Sequence, residues 1–256
     1  MTVSFLPELA LSFMLVFARL GTMVMLIPAI GDQSVPVRMR LVFALGLAIL
    51  FFPLASAYLT DLPTTASGIV FLFGLEMVVG FFIGLTSRII LASLQIAGST
   101  IAFQMGLGFA TSVDPTQGTQ GALIGTFLSI TGLTLIMVAD LHYLFIAAIR
   151  DSYVLFQPGQ VLPVEDASEL GVRILAGAFA IGVQIAAPFI VFGLLFNLGL
   201  GILSRLMPQV QIFFLGIPAA ILLGFVILFA VAGTVFGLFL MGVEDAIRPF
   251  IGISGG

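Results

Sequence analysis

The sequence predicts an all-α integral membrane-type protein, and three observations lead there. The chain has 256 residues, of which 61% are hydrophobic and 8% charged, whereas a soluble domain carries about 25% charged residues. Apolar runs long enough to cross a bilayer, which takes roughly 20 residues, recur from end to end. Pro, Gly and short polar loops separate them. A soluble fold of this length has too little interior to hide so much apolar surface, so lipid or other apolar chains must cover it.

The first run, residues 9–27, is too long for the core of a signal peptide. It contains Arg19 and lacks a small-x-small cleavage pattern, so it reads as a retained helix. Pro28 and Gly31 end it. A loop with Asp32, Pro36, Arg38 and Arg40 leads to a second run, 41–59, with Pro53 near its end. The polar loop 60–67 carries Asp61 and Pro63. The third run begins near Gly68 and has no sharp stop until about Ser112. Arg88 divides it into 69–87 and 89–109, and either a break or one long bent helix satisfies the pattern.

Next comes a polar segment, 103–125, with an Asp114-Pro115 break, five glycines, three glutamines and no Arg or Lys. Such a segment either is an exposed loop or lines something. The fourth run, 122–149, carries Asp140 and His142 toward its end. Residues 151–171 are the most polar stretch, with Pro158 and Pro163 against helix in the first half and Ser168 as a cap for the next helix. The run 172–206 is too long for one straight span. Pro188 interrupts it, and Asn197, Gly199 and Gly201 soften it. The turn Arg205-Leu-Met-Pro208-Gln209 closes it. The last run, 210–243, is broken by Gly216 and Pro218. A tail with Glu244, Asp245, Arg248 and Pro249 follows.

All eight basic residues are Arg, and the net charge is −4. There is no basic patch, so nucleic acid is not a partner. The absence of Cys excludes disulfides, thiol catalysis and cysteine metal sites. The positive-inside rule puts Arg38, Arg40 and Arg88 inside and the Asp61 and Asp114 loops outside. It then also puts the acidic 151–169 loop inside, a poor fit.

Glu76, Gly80, Gly84 and Arg88 follow at i+4 steps, so they share one helix stripe. Its G-x-x-x-G centre permits close approach of another helix. Ordinary helix packing explains the stripe, and a subunit contact in which Glu76 and Arg88 meet partners is the functional alternative. Gly121/Gly125 and Gly233/Gly237 repeat the spacing. The charges Arg19, Glu76, Arg88 and Asp140 fall within apolar runs. There they mark function or a buried pair, or snorkel to an interface.

Catalysis finds little support. His142 is the only histidine, and Asp140 with His142 gives too few ligands for a closed zinc site. A hydrogen-bonded His near a helix end is the simpler reading. Gly106-Leu-Gly108 lacks the third glycine and the preceding strand of a dinucleotide loop. Metalloprotease, nucleophile-elbow and P-loop motifs are absent. The expectation is a non-enzyme with no cofactor and no metal.

Two signatures carry a resemblance. The more specific is Phe103-Gln104-Met105-Gly106-Leu107 through Phe109-Ala110 to Asp114-Pro115. The second is Ala187-Pro188, Asn197, Gly201, Arg205, Pro208-Gln209, Phe213 and Gly216-Ile-Pro218. Ala18-Arg19, Pro28, Pro36 and Arg38 add an N-terminal pattern. On these residues the chain resembles the FliR/SctT family, the export-gate subunits of bacterial flagellar and virulence type III secretion systems. The match runs over nearly the whole length and is nearer the flagellar branch. The chain departs from the family at Asp140-Leu141-His142, where members carry Asn-Gly-His, and the tail after Arg248 is short.

The resemblance implies a fold of broken helical hairpins. A FliP-like region spans 1–170, and a FliQ-like hairpin spans 171–256. The subunit would join FliP-like and FliQ-like chains in a helical gate, with FlhB-like and FlhA-like proteins nearby and membrane lipid around it. The implied site is the bacterial inner membrane within the flagellar basal body, with much of the assembly above the bilayer on the periplasmic side. Unfolded protein substrates would pass through the channel. The segment 106–121 would project into it as a plug, using Met105, Gly106, Gly108, Phe109, Val113, Asp114, Pro115 and Gly118. Glycines allow such a segment to rearrange, and Met105, Phe109 and Val113 can form a dry constriction. The stripe Glu76, Gly80, Gly84 and Arg88, together with Asn197, Arg205, Pro208 and Gln209, would serve helix packing or subunit contact. The competing reading is a secondary transporter for a small solute, which predicts internally related halves. A membrane-embedded enzyme is a third.

Overall fold

A computed structural model describes residues 5–31, 35–59, 62–107, 120–160, 164–208 and 212–252. All regular structure among them is helical. The order is α1 (Phe5–Val24), α2 (Val37–Ala55), a 3-10 turn (Ser56–Tyr58), α3 (Ala66–Gln104), α4 (Gln120–Val138), α5 (His142–Leu155), α6 (Val164–Leu206), α7 (Ile212–Ile247) and a closing 3-10 turn (Arg248–Phe250). Among the described residues, four helices are long and apolar enough to cross a membrane, or five spans if the bent pair α4–α5 counts as one.

Of the two readings left open for the third run, the single helix holds: α3 has 39 residues and Arg88 does not divide it. The expected breaks at the later prolines are absent. Pro188 lies inside α6, a helix of 43 residues, and Pro218 lies inside α7, a helix of 36 residues. A proline removes one backbone donor, and elsewhere the ladder of so long a helix stays intact. Arg38 and Arg40 belong to the first turn of α2 rather than to a loop. Ser168 does not cap α6: the helix begins four residues earlier, and the Ser168 hydroxyl donates to the Glu165 carbonyl at 2.8 Å. Conversely, the expected fourth run is two helices, bent by 73°.

The described residues gather into two compact units. The first takes them from Met1–Ile89, Ala139–Leu175 and Val243–Gly256, and the second from Ile90–Val138 and Ala176–Gly242. In the first unit, α1 and α2 form an antiparallel hairpin with Phe13 edge-on to Phe52, ring centroids 5.8 Å apart. The residues that α2 buries are Ala44, Ala48 and Ala55, a small-residue stripe that permits close helix approach. The core of this unit holds Leu15, Val16, Leu20, Ile83, Ile149, Tyr153 and Phe250. In the second unit the core is built from Leu94, Ile101, Met105, Leu128, Ile185, Phe189 and Phe239. Here α3 and α4 meet backbone to backbone, since a side chain at Gly98 would overlap Gly125.

Within the apolar stretches of the four spanning helices, only 17% to 33% of residues are buried. Val42, Leu50, Val70, Leu194, Phe214 and Phe229 are among the exposed large side chains. A single chain in water would not leave such surface open, so lipid or neighbouring helices cover it.

Candidate functional site

The polar segment leaves α3 through a well-defined end. Gly106 sits at φ +79, its N–H donates to the Phe103 carbonyl at 3.1 Å, and the Leu107 N–H donates to the Ala102 carbonyl at 2.9 Å. These two bonds make a Schellman cap, which needs a left-handed residue and so favours glycine. The helix therefore stops at Gln104, short of the expected 109. Met105 is completely buried, and a side chain at Gly224 of α7 would run into it. Its side chain is thus an anchor in this chain's own packing. Gly108, Phe109, Val113, Asp114, Pro115 and Gly118 lie outside the described residues.

In the first unit, the apolar core holds an ion pair. Arg19 and Glu76 are each 1% exposed. Arg19 Nε donates to Glu76 Oε2 at 2.6 Å and Nη2 donates to Oε1 at 3.0 Å, a bidentate fork. The remaining donors reach α5: Nη1 to the Ser152 carbonyl at 2.9 Å and Nη2 to the Phe156 carbonyl at 2.9 Å. The guanidinium carbon lies 4.2 Å from the Tyr153 ring centroid. Arg19 thus ties α1 to α3 and also caps the end of α5: it gives the Phe156 carbonyl a donor and adds a second one to the Ser152 carbonyl, which already accepts the Phe156 N–H at 2.9 Å, and a cation suits the helix dipole there.

The stripe on α3 faces this region. A Cβ at Gly80 would overlap the Arg19 carbonyl and the Thr22 hydroxyl, and one at Gly84 would press on Met23 and Leu26. Glu76, Gly80 and Gly84 therefore pack on α1 of the same chain, whereas Arg88 is exposed. Asn197 is exposed on α6 and donates to the Gly193 carbonyl at 2.8 Å. Arg205 and Pro208 are exposed, and Gln209 lies outside the described residues.

Asp140 is exposed and adopts φ 59 in the bend between α4 and α5. His142 begins α5 with its ring 4.3 Å from that of Tyr143. Its Nδ1 is buried without a hydrogen-bond partner among the described residues. Among the described residues, no three His, Cys, Asp or Glu side chains cluster to hold a metal.

Sequence reasoning flagged Arg19 and Glu76 separately but did not pair them, and it missed Ser152, Tyr153 and Phe156. The available signal was one Arg and one Glu, each alone in an apolar run.

These features define an all-helical, membrane-type protein with a glycine-capped polar segment and a buried ionic clasp. The chain matches the family described as bacterial export proteins, family 1, over residues 10–246. It is 46% identical over 210 residues to the flagellar biosynthetic protein FliR of Caulobacter vibrioides, covering 82% of this chain and 84% of that one. It is 31% identical over 231 residues to the FliR of Bacillus subtilis, covering 88% and 87%. It is 29% identical to that of Escherichia coli K12, covering 77% and 75%. The chain belongs to the bacterial export protein family 1.

Proposed function

We propose that this chain is a structural, non-catalytic subunit of the flagellar protein export apparatus in the bacterial cell membrane. The observation that carries the reading is the family match along nearly the whole chain, with relatives named as flagellar biosynthetic proteins. The exposed apolar helices support it, because they suit assembly with other helical chains. In this reading the partners are FliP-like and FliQ-like subunits, with FlhB-like and FlhA-like proteins adjoining. Residues 1–170 are FliP-like, and residues 171–256 form a FliQ-like hairpin. That boundary falls in the first two turns of α6.

The segment from Gly106 to 121 acts as the plug through which unfolded substrates must pass. Its start is suited to this: the Schellman cap fixes where α3 ends, and buried Met105 anchors the near side of the segment. Phe109 and Val113 supply the dry constriction. The stripe residue Arg88 and the exposed Asn197, Arg205 and Pro208, with Gln209, are offered to neighbouring subunits. The decisive experiment is co-purification with FliP-like and FliQ-like chains, with motility and export assayed in a strain lacking its own copy. Autonomous transport of a small solute by the isolated chain would overturn the reading in favour of a secondary transporter.

A further inference from the structure

The end of α3 is held from two sides in the second unit. Met105 is completely buried, and a Cβ at Gly224 of α7 would run into its Cγ, Sδ and Cε atoms. The missing side chain at Gly224 is therefore what gives Met105 its place. One turn earlier on α7, the Ala220 methyl lies 4.0 Å from where a Cβ of Gly106 would be. On α6, a Cβ at Gly193 would overlap the Gln104 amide. Gly193 and Gly224 are both buried. Two notches, one on each helix, thus receive consecutive side chains of α3 just before Gly106 turns the chain out of the helix.

Behind these notches α3 is fixed in another way. It touches α4 backbone to backbone at Gly98 and Gly125, and Gln95 Nε2 donates to the Ser129 hydroxyl at 2.8 Å. The two helices that carry the polar segment cannot part there without losing both contacts. Between this lock and the notches, α3 has a weak point. The Ser99 and Thr100 hydroxyls both donate to the Ile96 carbonyl at 2.9 Å. Hydroxyls that bond back in this way compete with the backbone and bend helices. The last turns of α3 are therefore attached through a compliant stretch and kept in place by their fit in the notches. Pro188 and Pro218 each take one backbone donor within two turns of a notch, and long helices bend at such points.

We propose that Gly193 and Gly224 are positioning residues for the gate. They seat Gln104 and Met105 while the polar segment is closed, and the segment opens when Met105 withdraws from its notch on α7. This rests on the plug reading and adds the element that controls the plug, the α6–α7 hairpin. Leu222 and Val226, two residues to either side of Gly224, are exposed on the opposite face of α7. A neighbouring chain that packs there and shifts α7 acts directly on the notch.

The test uses the full chain assembled with FliP-like and FliQ-like chains. The protein has no Cys, so Met105→Cys/Gly224→Cys introduces the only cysteines of this chain. The shorter side chain at 105 makes room for the one at 224, as a disulfide requires. The reduced pair should export. The oxidised pair should stay ion-tight and lose export, and a reductant should restore it. Undiminished export with the disulfide formed would overturn the proposal. In the other direction, Gly224→Val should displace Met105 and raise ion leak through the assembled gate roughly tenfold, within the reach of overpacking. Adding Met105→Ala to that variant should bring the leak back toward the wild-type level. Gly132→Val is the control. It is closed by Leu94 and Phe239 and overpacks the same unit about 18 Å along α4 from Gln120. It should lower the unfolding temperature without causing leak. An ion-tight Gly224→Val gate, or an equal leak from Gly132→Val, would make Gly224 a packing residue only and sink the proposal. If Gly224→Val does not assemble, Gly224→Ala takes its place, and if the cysteine pair does not, the leak comparison decides. Deletion of 109–118 in parallel separates the two claims. An ion-tight deletion removes the plug reading itself, whereas a leaking deletion beside an ion-tight Gly224→Val removes the notch alone.

Discussion

Replacing Arg19 by Met should strip the clasp of its cation while leaving the side-chain volume nearly intact. Glu76, 1% exposed, then faces an apolar core with its carboxylate unpaired. The Phe156 carbonyl loses its guanidinium donor at 2.9 Å, and the Ser152 carbonyl loses one of its two donors. Removing one partner of a buried pair costs about 3–5 kcal/mol. At about 2–4 °C per kcal/mol for a chain of this size, thermal unfolding should fall by roughly 6–20 °C. The double variant Arg19→Met/Glu76→Leu removes both charges and leaves only the Phe156 carbonyl without a donor, since the Ser152 carbonyl keeps the Phe156 N–H. It should therefore be less damaged than Arg19→Met alone, or at least far less than the sum of the singles, with a coupling of about 2 kcal/mol or more. The assay is a double-mutant cycle by thermal unfolding of the purified protein in one detergent. Additivity within about 0.5 kcal/mol would refute the claim that the two charges act as one buried unit.

Further outcomes follow from single positions. Gly80→Val should destabilise by about 1–3 kcal/mol, as overpacking does, because the site is closed by Arg19 and Thr22. Gly74→Ala, with open space around it, should be neutral or slightly stabilising; thermal unfolding of the pair gives the comparison. Gly106→Ala should cost about 1–2 kcal/mol for an L residue held at φ +79, read as a lowered unfolding temperature. Ala29 adopts φ 74 where α1 runs out, so Ala29→Gly should raise stability by about 1 kcal/mol. Deleting 109–118 should leave co-purification with FliP-like and FliQ-like chains intact but make the assembled gate leak ions. An ion-tight membrane after this deletion would refute the plug assignment alone.

Much of the helical content was legible because a lipid-facing helix announces itself by length and apolarity. The runs at 41–59 and 172–206 became α2 and α6 to within a few residues at most ends. The end of α3 was misplaced because Gly106 is a cap by virtue of its φ and two backbone bonds, and composition shows only one glycine among several. Pro188 and Pro218 were over-read: proline removes a single donor, and a long helix tolerates that loss. The fourth run hid a 73° bend because Asp140 rather than Gly or Pro takes the left-handed conformation there.

By itself, the sequence determined that the chain is helical, apolar beyond what water permits, poor in catalytic groups and akin to the export proteins. Those properties reside in composition and in motifs that are contiguous along the chain. Only the tertiary structure decided which charges meet. Arg19 and Glu76 are 57 residues apart, and the carbonyls that complete the arginine's shell belong to a third helix. Partnerships of this kind depend on helix direction and register, which packing fixes and residue spacing does not record.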